Sequence, residues 1–449
     1  MSMLPLVSHA SPHSIVAWRA EGAVTRREFL AEVSQLAARF PAGRHLLNLC
    51  GDRYRFSVGL AAAIVTGKIS LLPSTHTPGV IVQIRNFASD VFCLTDSDNC
   101  TAELPQLRYP SMRAVSTLEL DTYAVPQIDS AQRVAVVFTS GSTGAPQPHP
   151  KTWGALVHRV QAEAVRLELP RPCAVIGTVP PQHMFGFEST VLLAWHNGFA
   201  LSHAQPFYPA DICQALAAVP APRVLVSSPV HLRALVGMGL ALPEIASVVS
   251  ATAPLSVQLA RDIEARCAAP LLEIYGSTET GQIASRRPTQ RSEWQLFPGI
   301  SWVKTGGRMR ASGDYIETTA PMNDVIEPVT EDYFLLHGRI EDMINIAGKR
   351  HSLTGLNHLL NSIPGVVDGA FYMPDESGAD QVTRLAACVV APELNASHLL
   401  AALRLHLDPV FLPRPLLFVD ALPRNSTGKL PRAALQALLQ THGIRASNE

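Results

Sequence analysis

Between Phe138 and Pro146 the chain reads F-T-S-G-S-T-G-A-P, two glycines and four hydroxyls on a short turn after the apolar run Arg133 to Val137. Glycine reaches backbone angles closed to other residues, so N–H groups there can turn inward around an anion, and Ser and Thr add further donors. That is the chemistry of a phosphate cradle. Standing alone, the same run also describes a polar surface loop after a strand. It is not a Walker A loop, because G-x-x-x-x-G-K-[ST] cannot be written across Gly141 to Lys151.

Three further blocks follow in order. Leu272 to Gly281 reads L-E-I-Y-G-S-T-E-T-G, Gly338 to Arg350 reads G-R-I-E-D-M-I-N-I-A-G-K-R, and Leu422 to Arg432 reads L-P-R-N-S-T-G-K-L-P-R. Together with the first loop they resemble the ordered signature of the adenylate-forming superfamily of acyl- and aryl-CoA synthetases, peptide-synthetase adenylation domains and luciferases. The resemblance runs from near residue 134 to near residue 432. It implies an ATP-dependent enzyme in which a carboxylate attacks the α-phosphate, pyrophosphate leaves, and a thiol then takes the acyl group. It also implies roles. Thr139, Ser140, Gly141, Ser142, Thr143 and Gly144 would wrap the β- and γ-phosphates. Tyr275 would stack on adenine, with Gly276 and Ser277 beside it, Thr278 would meet the α-phosphate, and Glu279 would hold Mg²⁺, a hard cation that takes carboxylate and phosphate oxygens. Lys429 would bridge the acid and the α-phosphate, reducing the repulsion of two anions. Glu341 would be the hinge about which a small domain turns between half-reactions.

Several positions depart from the family pattern. Relatives carry Lys directly after the loop's Pro, whereas this chain has Gln147, with Lys151 four residues later; either Lys151 substitutes through a longer loop, or the backbone and hydroxyls suffice. S-A-T-A-P-L from Ser250 stands where the family has a Gly-rich wall of the adenine and acyl pockets, to which Thr252 and Ala253 would contribute on the nucleotide side; with Ala251 and Thr252 in place of the glycines, the space beside the nucleotide is expected to be narrow and the acyl group compact. Asp324 matches the ribose-binding aspartate by its spacing from Gly338, with Arg339 as a second ribose contact; a turn aspartate is the plain alternative. His183, in P-P-Q-H-M-F-G-F, resembles the residue lining the carboxylate end of the acyl pocket, with Phe185 and Phe187 as pocket walls or core. His158, His196 and His203 show no metal spacing.

The elements that must position these residues alternate. Helical spacing marks Arg26 to Phe40, Arg55 to Thr66 and Gly79 to Phe87. Short apolar strands are expected at His45 to Cys50, Ile69 to Pro73, Asp90 to Thr95, Cys173 to Val179, Ala200 to Ser202, Arg223 to Ser227, Ile245 to Ser250 and Leu271 to Ile274. Such alternation predicts an α/β fold with parallel sheets covered by helices. Beyond Gly306 the strands become charge-flanked. A boundary is expected near Gly338, giving a large N-terminal AMP-binding domain over 1–338 and a small mobile α+β lid domain over 339–449.

The 449 residues leave room for about two to three domains. A net charge of -1 with 16% charged residues offers no basic excess for nucleic acid or an anionic membrane. The seven cysteines are scattered without a C-x-x-C, which suggests reduced core thiols. The N-terminus lacks signal-peptide character and no stretch is long enough to span a bilayer, which points to the cytoplasm. The compact chain most resembles the short ligases of aryl-polyene and xanthomonadin-type pigment pathways. That implies an aromatic acid substrate, such as a hydroxybenzoate, and an acyl carrier protein as acceptor, with free CoA as the competing acceptor. Two other readings are a non-catalytic nucleotide-binding regulator, motivated by Gln147, and an amino-acid adenylation domain. The second lacks an acidic residue in the pocket segments Ser227 to His231 and Ser250 to Leu255.

Overall fold

The structure is a computed structural model that describes residues 2–112, 124–140, 146–306, 308–317, 322–339, 343–346, 349–373, 385–425, 428 and 430–441. Two large sheets dominate it. One has the strand order Pro146–Thr152, Arg133–Ser140, Ile69–Leu72, His45–Asn48, Val91–Thr95, Gln106–Arg108, all parallel except the first. The other has eleven strands, in the order Asp324–Pro328, Tyr333–Arg339, Trp294–Leu296, Gly281–Arg286, Leu271–Ser277, Ser247–Ser250, Arg223–Ser227, Ala174–Gly177, Ala200–Ser202, Ile15–Arg19, Gly22–Thr25. Its middle, from Leu271–Ser277 to Ile15–Arg19, is parallel; both ends are antiparallel. This is the expected α/β architecture.

The main core lies between the sheets. Leu46, Leu72 and Val134 of the first sheet and Val175, Val224 and Val249 of the second join one buried cluster with Tyr54, Trp153, Phe187 and Trp195 from intervening helices. Parallel strands buried on both faces read as continuous apolar runs, which is why their positions were legible. Local signals set the helix starts. Thr25 and Glu28 form a capping box for Arg26–Ala37, and the side chains of Asp52, Ser256 and Ser352 each accept from a backbone N–H at the start of Arg53–Val65, Val257–Cys267 and Leu353–Ser362. No helix among the described residues is long and apolar enough to cross a membrane.

Nothing in the apolar pattern marks a strand after Ser140, yet the chain returns along Arg133–Ser140 as Pro146–Thr152. That strand is at the sheet edge, and its prolines, 146, 148 and 150, fall on alternate residues. Successive N–H groups of a strand point to opposite sides, so all three missing donors lie on the free edge and none on the ladder. Three prolines in seven residues argue against a central strand but suit an edge.

The described residues between 343 and 441 gather around their own apolar centres. Leu356, Leu360, Val389, Leu399 and Leu403 form one, and Tyr372, Cys388, Leu435 and Leu439 another, on opposite faces of the strands Asp368–Tyr372 and Ala386–Val390.

One buried acid carries a pH dependence. Glu163, on the helix Trp153–Arg166, is fully buried, with the Gln282 amide 3.1 Å from its carboxyl. Burial pushes this carboxyl well above its ordinary range; the Ser189 hydroxyl opposes the shift and the Glu188 charge adds to it. A carboxyl raised on folding adds its stability below the unfolded value, about 4.3, and loses it as pH rises toward the folded value. Glu163→Gln is therefore expected to gain on the parent as pH rises from 5 to 8, read by urea unfolding at both ends. Parallel pH curves for the two proteins would contradict this.

Candidate active site

The strands Leu271–Ser277 and Gly281–Arg286 form a hairpin that turns through Thr278, Glu279 and Thr280. The turn is tied by its own hydroxyls: Ser277 Oγ accepts from the Thr280 N–H at 3.2 Å, and the two side-chain oxygens stand 3.1 Å apart. Two glycines make it possible. A Cβ on Gly276 would lie 2.3 Å from the Gly281 carbonyl, and one on Gly281, at φ +68°, would lie 2.3 Å from the Arg159 guanidinium carbon. The tip carries Glu279 toward the strand Pro146–Thr152, with Oε1 4.0 Å from His149 Nε2. Burial pushes the Glu279 carboxyl up, but hydrogen bonds from its own amide and Ser277, with the nearby His149 and Lys151, outweigh that and hold it low. It is an ionised carboxylate at neutral pH.

Lower in the same strand, the Tyr275 hydroxyl donates to Asp324 Oδ2 at 2.5 Å, and its ring packs 5.5 Å from Trp294 and 5.7 Å from Phe334. Asp324 pairs across the ladder with Arg339. The fold thus brings together the three residues expected to take adenine and ribose, although for Asp324 only spacing pointed to it.

Thr139 sits within its strand rather than on a loop, and its Oγ1 is 2.9 Å from His149 Nε2. Of the two alternatives for the missing loop lysine, a longer loop carrying Lys151 is not what the structure shows: Lys151 pairs with Ala135 on the edge strand and is 1% exposed. Its ammonium donates to the Glu279 carbonyl at 3.4 Å and lies 3.6 Å from Glu317 Oε2. Gly141, Ser142, Thr143, Gly144, Glu341 and Lys429 lie outside the described residues, as do the side chains of Ser140 and Arg339.

On the acyl side, His183 is half-buried and precedes a short helix. A Cβ on Gly186 would lie 2.1 Å from the Pro180 carbonyl, so the block closes back on itself. Arg53, fully buried, donates to the carbonyls of Gly177 and Val179 at 2.8 and 3.0 Å and fixes the strand that leads into it. Phe185 and Phe187 belong to the main core. Ala253 lines a cavity of about 150 Å³ together with Val230, Arg233, His358, Arg424 and Gly428, which joins the large portion to the small one. Arg424 grips Asp368 through two bonds, 2.7 and 2.8 Å, and donates to the Gly428 carbonyl at 3.0 Å, holding the residue before Lys429.

Thr252 has φ +82°, a left-handed conformation that costs an L residue about 1–2 kcal/mol and is rare for a β-branched one. Glycine at this point is free of that cost, though its unfolded chain is more disordered. Thr252→Gly is expected to raise stability by roughly 0.5–1 kcal/mol, measured by urea unfolding. A drop in stability would show that contacts of the Thr side chain outweigh the backbone strain.

The model of the family described as AMP-binding enzyme matches residues 10–311. The chain belongs to the AMP-binding enzyme family. Among its relatives, the 4-coumarate–CoA ligase of Rhodobacter capsulatus is 30% identical over 301 residues, covering 66% of this chain and 74% of that protein. The corresponding ligase of Halorhodospira halophila is 32% identical over 302 residues, covering 65% and 73%. A 4-chlorobenzoate–CoA ligase from an Arthrobacter species is 26% identical over 379 residues, covering 74% and 71%. Among solved structures, ATP-bound MatB from Rhodopseudomonas palustris superposes with a TM-score of 0.80 at 18% identity, covering 98% of both chains. This AMP-binding enzyme is therefore an ATP-dependent, AMP-forming ligase that activates a carboxylic acid.

Behind the Glu279 turn, this AMP-binding enzyme keeps a buried charge network that no sequence motif announces. Arg159 and Glu188, both inaccessible, meet at 2.7 Å; Arg159 also donates to the Tyr315 carbonyl at 2.6 Å and reaches Glu317 Oε2 at 3.4 Å. Burial would lower the Arg159 guanidinium, but Glu188 and Glu317 outweigh it and raise it. Glu188 lies in a π-helical turn, Phe187–Leu192, whose wide pitch is common near functional sites. Through Glu317, Lys151 and Gly281, the network sets the height of the turn that carries Glu279.

Proposed function

We propose that this enzyme converts an aromatic carboxylic acid, of the hydroxybenzoate or hydroxycinnamate kind, into its acyl-adenylate and then passes the acyl group to a phosphopantetheine thiol. The observation that carries this reading is the meeting of Tyr275, Asp324 and Arg339 beside the Glu279 turn, a nucleoside platform next to an ionised carboxylate.

In the first step an oxygen of the acid attacks the α-phosphorus, the bond to the bridging oxygen breaks, and pyrophosphate leaves with the electron pair. Tyr275 stacks on adenine, Asp324 and Arg339 bond the ribose hydroxyls, and Thr278 meets the α-phosphate. The segment from Thr139 and Ser140 to Gly144 wraps the β- and γ-phosphates. Lys429 bridges the incoming carboxylate and the α-phosphate, so the two anions approach without full repulsion. Among the described residues no three acidic, His or Cys side chains are grouped to hold a metal alone. Glu279, an ionised carboxylate at the tip of the turn, fits Mg²⁺, which takes one or two carboxylates and completes its shell with phosphate oxygens and water. When bound, Mg²⁺ spreads the charge that builds on the departing pyrophosphate.

In the second step a thiol sulfur attacks the acyl carbonyl, AMP leaves with the electron pair, and the thiol proton goes to solvent. The small domain from Arg339 onward turns about Glu341 between the steps, and His183 orients the acid. The names of the 4-coumarate and 4-chlorobenzoate ligases support an aromatic acid, and both name CoA. The motif resemblance favours an acyl carrier protein, whose phosphopantetheine presents the same thiol.

The test is acid-dependent exchange of labelled pyrophosphate into ATP with Mg²⁺, across hydroxybenzoates, hydroxycinnamates, medium-chain fatty acids and amino acids. A second arm adds CoA or a phosphopantetheinylated carrier protein and follows AMP release. Exchange confined to fatty or amino acids would defeat the aromatic reading. The thiol that accelerates AMP release identifies the acceptor.

A further inference from the structure

The edge strand puts a row of polar residues against the Glu279 turn. Gln147 pairs with Thr139, His149 with Val137 and Lys151 with Ala135. Residues opposite one another in a ladder share a face, and so do alternate residues along a strand. Gln147, His149 and Lys151 therefore lie on the face that Thr139 occupies, and position 147 itself brings an uncharged amide to it.

Depth separates the three. Gln147 is exposed, the His149 side chain is 18% exposed, and Lys151 is closed off. The Lys151 ammonium is engaged with Glu317 and the Glu279 carbonyl, behind the turn rather than in front of it. It is a positioning residue. The imidazole of His149 stands between the Thr139 hydroxyl, at 2.9 Å, and the Glu279 carboxylate, at 4.0 Å. An anion held between Thr139 and a cation at Glu279 would meet this ring.

We propose that His149 is a direct ligand of the pyrophosphate moiety, donating from Nε2 to a phosphate oxygen that takes over its bond with Thr139, and that it supplies a hydrogen-bond donor, not a charge, on a strand where Gln147 is neutral. The proposal rests on the nucleotide site described under the function above. A donor to an anionic oxygen is one of the stronger hydrogen bonds in proteins, so removing it corresponds to about a ten- to hundredfold change in affinity.

The experiment measures binding of inorganic pyrophosphate and of AMP to the full chain by calorimetry at saturating Mg²⁺. In His149→Ala, pyrophosphate affinity is expected to fall about ten- to hundredfold while AMP stays within about twofold. His149→Phe keeps a ring of similar size without the donor and is expected to give the same selective fall. Adding Gln147→Lys to His149→Ala is expected to recover part of the pyrophosphate affinity. Unchanged pyrophosphate binding, or equal falls for pyrophosphate and AMP, would overturn the proposal. So would a fall abolished by tenfold more Mg²⁺, which would assign the effect to the cation. A parent protein that binds neither probe would instead sink the nucleotide-site reading, a result distinct from failure of the His149 proposal.

Discussion

Replacing Lys429 by Ala is expected to lower acid-dependent pyrophosphate exchange about a hundred- to a thousandfold while leaving ATP affinity within a few-fold. The reason is that the proposed contact exists fully only when the carboxylate and the α-phosphate approach each other. A group that acts in the transition state changes rate more than ground-state binding. Arg424 supports the arrangement, because its bonds to Asp368 and to the Gly428 carbonyl hold the chain one residue before Lys429. The two are separable by experiment. Arg424→Gln should lower exchange without abolishing it, since it only loosens the segment. Exchange at the parental rate in Lys429→Ala would remove this lysine from the mechanism.

The second large effect is on stability. Arg159→Met is expected to cost about 3–5 kcal/mol, because it leaves Glu188 as a buried charge without its partner. Glu188 has no exposure from which water could compensate. The double variant Arg159→Met/Glu188→Leu should recover most of the deficit, since an apolar pair of similar bulk carries no desolvation penalty. Urea unfolding of the parent, both single variants and the double variant completes a cycle. A cost below about 1 kcal/mol for Arg159→Met would mean that the pair is not the buried charge contact the geometry describes.

The sequence carried the parallel strands well because each is apolar throughout and bounded by turns, as in Arg223–Ser227 and Ala200–Ser202, both predicted to the residue. It also named Tyr275 and Asp324, which the second sheet brings into a hydrogen bond, and Glu279 and Thr139, which approach His149 from the second and first sheets. What it missed has a common physical cause. The return strand Pro146–Thr152 has no apolar alternation, and its prolines discourage a strand assignment unless their period is noticed. That period was the available signal for His149 and Lys151. The Arg159–Glu188–Glu317 network had none, because a buried ion pair joins residues far apart in the chain and leaves no local pattern. Phe187 was ambiguous from sequence, since apolar rings line pockets and cores alike, and its burial assigns it to the core.

The proline-rich return strand has a consequence for the energetics of nucleotide capture. With φ fixed at every second residue, the segment Pro146–Thr152 has few conformations to lose, even in the unfolded chain. It is a stiff strut laid along the strand Arg133–Ser140, which itself pairs inward with Ile69–Leu72. A ligand held against this strand, as proposed for pyrophosphate at His149, would spend little of its contact energy on ordering the strand, and more would remain for grip.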